Sequence, residues 1–120
     1  MARDAALVTT WSFPVPGREA KSLEVFMEFL GFWAKRSAEG KCSPPETFFN
    51  VNGTNGMGIV KGKEDVLLQI ADSDEYVKLI QKGQMIVRDL RTELHIGGTD
   101  EEVQRVTRLF AEAGAELGYM

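Results

Sequence analysis

The sequence predicts an α+β domain: a four-stranded antiparallel sheet with two crossover helices on one face and one more helix at the C-terminus. Two observations carry that prediction. Period-two stretches and stretches with apolar residues at helical spacing follow one another as strand, helix, strand, strand, helix, strand, helix. The chain has 120 residues, 43% of them hydrophobic, with seven Phe and two Trp; that is enough for one core and places residues 1–120 in a single domain.

Residues 6–13 (Ala-Leu-Val-Thr-Thr-Trp-Ser-Phe) are rich in β-branched and aromatic side chains and form the first strand, stopped by Pro14, Pro16 and Gly17. Neither face carries a charge, which predicts a central strand covered on both sides. Residues 18–38 follow as a long helix with two adjacent apolar stripes, Leu23, Phe26, Met27, Leu30, Trp33 and Ala34 beside Val25, Phe29 and Phe32. One stripe is expected on the sheet, and the other against a second subunit or the C-terminal helix. Gly40 suits the left-handed position after the last turn.

Residues 46–52 and 57–61 read as an antiparallel pair, with Asn55-Gly56 supplying the positive-φ positions of the turn between them. Periodicity leaves Val66 to Ala71 open between helix and strand; Glu64 and Asp65 just before it favour a helix, where acids complement the dipole. Asp72 or Ser73 then caps a helix reaching Ile86, with Tyr76, Leu79, Ile80, Gly83 and Ile86 on one face and Glu75 placed for a capping box. Residues 90–98 hold the cleanest alternation and the single histidine: Leu90, Thr92, Leu94 and Ile96 on one side, Arg91, Glu93 and His95 on the other. The last helix opens on Thr99 as cap with Glu102 three residues on, and shows the apolar stripe Val103, Val106, Phe110, Ala113 and Leu117. A Glu101–Arg105 pair suits its i,i+4 spacing. The simplest architecture for this order is the ferredoxin-like split βαβ plus a C-terminal helix.

Composition narrows function by exclusion. A net charge of −4, with no basic stripe, argues against nucleic acid. The polar N-terminus and the absence of an apolar run of about 20 residues argue against secretion and membrane insertion, which predicts a cytoplasmic protein. One cysteine, Cys42, rules out an internal disulfide and multi-cysteine metal sites. Asn52-Gly53-Thr54 matches a glycosylation acceptor, but reads as a turn in a chain of this kind. Gly56-x-Gly58-x-x-x-Gly62 has the wrong spacing for a dinucleotide fingerprint and enters a strand. No metal and no cofactor are expected.

Several stretches resemble the dimeric α+β barrel superfamily and its antibiotic-biosynthesis-monooxygenase-like small proteins: Val8 to Phe13, Ala38-Glu39-Gly40-Lys41, Gly56 to Gly62, and Ser73-Asp74-Glu75-Tyr76 before a terminal strand. The resemblance lies in element order and glycine placement. It implies a homodimer whose two sheets pair into a barrel, and a small apolar ligand between sheet and helices, handled without a cofactor as some members of that group do. It carries no catalytic residue over to a numbered position.

The residues themselves offer candidates. His95 with Glu93, about 6–7 Å apart on one strand face, could set up acid–base chemistry. Trp11, Trp33 and Phe48, with Phe49, could line a pocket. Asn50, with Asn52, could orient a ligand carbonyl, and Arg91 is a further ligand-binding candidate. Each also has a plainer reading, as a charged face turned to a dimer partner, as core, or as hairpin residues. Two classes of function follow: a small-molecule enzyme or binder, and a non-catalytic dimerising module.

Overall fold

The structure, a computed structural model, describes residues 3–120. Its elements are β1 Asp4–Trp11, α1 Glu19–Ala38, β2 Glu46–Phe49, β3 Gly56–Lys63, α2 Glu64–Ala71, α3 Asp74–Gln84, β4 Arg91–Ile96 and α4 Asp100–Glu116. The four strands make one antiparallel sheet in the order β2-β3-β1-β4. The expected α+β, ferredoxin-like architecture is what forms. No helix is long and apolar enough to cross a membrane among the described residues.

The sheet has two unlike faces. On one, Ala5, Leu7, Thr9 and Val60 are buried beneath helices, with Phe29, Phe32, Trp33, Leu67, Ile70, Tyr76 and Leu79 completing the core. Glycines let the helices sit close. A Cβ on Gly58 would come within 3.1 Å of the Phe29 ring, and one on Gly56 within 2.7 Å of Trp11. On the other face, the register aligns Val8 with Ile59 and Glu93, and Thr10 with Met57 and Arg91, with no helix of the described residues packed above them. β1 is therefore central, as read, but covered on one side only.

Three boundaries differ from expectation for local reasons. β2 stops at Phe49 because Asn50 turns the chain: its Oδ1 accepts the Asn52 N–H at 3.1 Å, and its own N–H donates to the Asn55 carbonyl at 2.9 Å. The positive φ of that turn belongs to Gly53, at 75°, so Asn55-Gly56 is not the turning pair; Gly56 opens β3 and makes room for Trp11. β1 ends at Trp11, after which residues 12–15 pair with 86–88 through Ser12 N–H to Arg88 O and Val15 N–H to Ile86 O. β4 occupies Arg91–Ile96, within the predicted 90–98.

The segment left open at Val66 is helical, and Ser73 caps α3 by accepting the Tyr76 N–H at 3.3 Å. Glu75 forms no capping box; it pairs with Arg36 of α1 at 2.7 Å, and that guanidinium lies over the Phe32 ring at 3.9 Å. In α1 the buried face runs through Phe29, Phe32 and Trp33, and Leu23, Met27 and Ala34 stay exposed, so the two expected stripes divide differently. α4 departs most. Thr99 caps it as read, accepting the Glu102 N–H at 3.2 Å, but none of its residues is buried. Arg105 pairs with Glu102 rather than Glu101.

Candidate functional site

The concave feature nearest to a ligand site is a half-open cleft of about 360 Å³ between the helix-covered face of the sheet, α1 and α3. Each wall follows from local sequence. β1 turns alternate side chains to this face, which brings Thr9 and Trp11 there. Helical spacing in α1 puts Phe26 and Phe29 opposite them, and Phe49 arrives from the end of β2. Trp11 sits among three rings: Phe26 at 5.8 Å, Phe49 at 6.3 Å and Phe29 at 6.4 Å between centroids, tilted or edge-on. Tilted and edge-on contacts are the favourable arrangements for aromatic rings. Ile86 and Val87, held by the 12–15 pairing, close the side away from β2.

Thr9 is the polar residue that this wall buries, at 2% exposure. Its Oγ1 lies 3.4 Å from the hydroxyl of Tyr76, itself 2% exposed. Thr92 stands directly opposite Thr9 in the sheet. Thr92 Oγ1 and Trp33 Nε1 approach the same Tyr76 hydroxyl without well-formed hydrogen bonds. Burial pushes the Tyr76 phenol up from its ordinary range, and Thr9, Thr92 and Trp33 pull it partly back. At neutral pH it is an uncharged hydroxyl, and either oxygen can donate in its contact with Thr9. The remaining polar lining, Ser12, Glu19, Ser22 and Asn55, is partly or fully exposed.

The candidates read from sequence separate. Trp11 lies on the cleft, and so does Phe49. Trp33 does not: it is completely buried behind it, packed on Phe32 and Tyr76 at 5.2 Å each. Phe48 points to the opposite face of the sheet, half exposed beside Met57. Asn50 and Asn52 are spent on the turn. Arg91, Glu93 and His95 are exposed on the open face, across the sheet from the cleft. His95 instead borders a second half-open hollow, of about 480 Å³, with Lys61, Gly98 and Thr99 at the far end of the sheet.

Thr9, Phe26, Phe29 and Tyr76 were not singled out by sequence reasoning. Two signals pointed to them: an uncharged polar residue within the face Leu7, Thr9, Trp11, and the glycine pair Gly56 and Gly58 two apart on the facing strand. Among the described residues no group of three His, Cys, Asp or Glu converges as a metal site would. Burial pushes the Cys42 thiol up against the opposing pull of Arg36, so it is a poor nucleophile at neutral pH.

The sequence matches no protein-family model and no curated protein. Solved structures do match. The cofactor-independent oxygenase SnoaB from Streptomyces nogalater superposes with TM-score 0.63 at 12% identity, over 82% of this chain and 96% of that one. A dimeric protein of unknown function and ferredoxin-like fold from Bacteroides fragilis gives 0.58 at 12%, over 78% and 96%. A candidate antibiotic biosynthesis monooxygenase from Nitrosomonas europaea gives 0.61 at 7%, over 83% and 95%. At such identities the likeness is one of architecture: this chain has the ferredoxin-like α+β fold that those proteins share.

Proposed function

We propose that the protein is a cytoplasmic homodimer, each chain of which binds a small planar apolar molecule in the cleft between sheet and helices. One observation carries the proposal, the cleft of about 360 Å³ walled by Trp11, Phe26, Phe29 and Phe49 with a single buried hydroxyl, Thr9, at its floor. Largely apolar walls with few placed polar groups are the usual make-up of a small-molecule site. The open sheet face, with Val8 and Ile59 half-buried and Met57 and Phe48 exposed among the described residues, supports the dimer, as does the Bacteroides fragilis neighbour described as dimeric.

The rings grip the guest and the Thr9 hydroxyl orients it, with Tyr76 behind holding that hydroxyl in place. Calorimetric titration with 1-naphthol tests this. Saturable binding at one site per chain is expected, weakened roughly two- to tenfold by Thr9→Val, the value of one hydrogen bond, and restored by Thr9→Ser. Absence of saturable binding by 1-naphthol and by naphthalene would leave the non-catalytic dimerising module as the better reading.

A further inference from the structure

Behind the cleft, four polar side chains meet in the core with more protons than the core can accept. Thr9, Thr92 and Tyr76 each bring a hydroxyl, which donates one proton and can also accept; Trp33 brings an N–H, which only donates. Tyr76 stands at the centre. Its hydroxyl lies 3.4 Å from Thr9 Oγ1, its ring packs on Trp33 at 5.2 Å between centroids, and Thr92 Oγ1 and Trp33 Nε1 approach it. Trp33 and Tyr76 are buried, and neither Trp33 Nε1 nor Thr92 Oγ1 makes a hydrogen bond to any other group among the described residues.

The direction of the Thr9–Tyr76 contact follows from the proton count. Trp33 Nε1 has no lone pair, so its proton occupies one lone pair of the phenol oxygen, and the Thr92 proton needs the other. The phenol proton then goes to Thr9, the hydroxyl within hydrogen-bonding distance of it. In the reverse arrangement Thr9 donates to Tyr76, the phenol proton turns to Thr92, and the Thr92 proton is left in the core without an acceptor. Folded proteins avoid such buried orphan donors. Of the four groups, Thr9 is the one that lines the cleft, so the unmatched proton emerges there.

We propose that this cluster fixes the Thr9 hydroxyl as a donor into the cleft, so that the guest is a planar molecule with a proton-free acceptor on its edge, a carbonyl or an imine-type ring nitrogen. Tyr76 is the positioning residue, acting on the guest only through Thr9. A guest that offers only a donor can use the remaining lone pair of Thr9, but it leaves the Thr9 proton unpaired against apolar walls. The inference rests on the cleft reading above and adds which guests the cleft selects.

Calorimetric titration of the full chain with three planar bicycles tests it: chromone offers a carbonyl, indole only an N–H, and naphthalene neither. Thr9→Val should weaken chromone roughly two- to tenfold, the value of one hydrogen bond, should weaken indole less, and should leave naphthalene unchanged; Thr9→Ser should restore chromone. Tyr76→Phe keeps the ring but frees the Thr9 hydroxyl to rotate, so the preference for chromone over indole should narrow by about twofold or more. A merely structural role for Tyr76 would move all three guests together. Thr9→Val sparing chromone, or weakening indole as much, would overturn the proposal and leave the cleft reading standing, as would a chromone-to-indole ratio unchanged in Tyr76→Phe. Saturable binding by none of the three defeats both.

Discussion

The two faces of the sheet are made from the same strands, yet they do opposite things. Beneath the helices, glycines at Gly56 and Gly58 lie against the rings of Trp11 and Phe29, and the interdigitation is tight enough to serve as core and as cleft wall at once. The open face has an apolar middle at Val8 and Ile59 and a polar border at Glu46, Lys61, Arg91, Glu93 and His95, the composition of an interface with a polar rim. A strand with period two can serve both, because alternate residues never compete for the same neighbours. The proposed binding cleft and the proposed dimer face are thereby separated by the thickness of one sheet.

That separation can be broken from either side. On the helix side Trp33→Ala should cost about 3–5 kcal/mol, since it empties a fully buried site, measured by urea unfolding. On the open side Val8→Lys should leave secondary structure intact by circular dichroism and convert the proposed dimer to monomer in light scattering, because it sets a long charged side chain in the apolar middle of the proposed interface; a stable dimer would contradict the role proposed for that face. Gly56→Ala should destabilise by about 1–3 kcal/mol through overpacking against Trp11, and should weaken 1-naphthol binding while the dimer persists.

Tyr76→Phe sharpens the comparison through pH. A phenol held above its ordinary value of about 10 contributes stability that is complete below that pH. The contribution is lost as pH rises from there through the raised folded value. Wild-type stability should therefore fall more steeply above pH 10 than that of the variant, followed by urea midpoints from pH 8 to 11. The smallest effect belongs to His95→Ala, which lies across the sheet from the cleft: 1-naphthol affinity should not change in the same titration, and a loss of affinity would return the histidine to the site.

Much of this was legible in residue order. The alternation of Leu90 to Ile96 correctly divided the β4 side chains between the two faces, and Thr99 with Glu102 marked the start of α4. Those features depend on neighbours within a few residues, where periodicity and capping act. Turn assignment failed at Asn55-Gly56 because the residue that needed space was Trp11, 45 positions away in the chain. Trp11 was singled out, but so were Trp33 and Phe48, and nothing local distinguishes a ring on a cleft from one behind it or on the far face.

What the sequence by itself determined, then, is the order of strands and helices, which side of β4 is apolar, and how the elements follow to give a ferredoxin-like fold. What only the tertiary structure decided is that Thr9 and Tyr76 meet 67 residues apart beneath one cleft, that His95 stands on the other side of the sheet from it, and that the apolar stripe of α4 stays exposed among the described residues. The physical reason is range. Backbone hydrogen bonding and side-chain periodicity are set by adjacent residues, whereas a cavity is the space left over when distant side chains of particular volume meet, and no short stretch of sequence contains it.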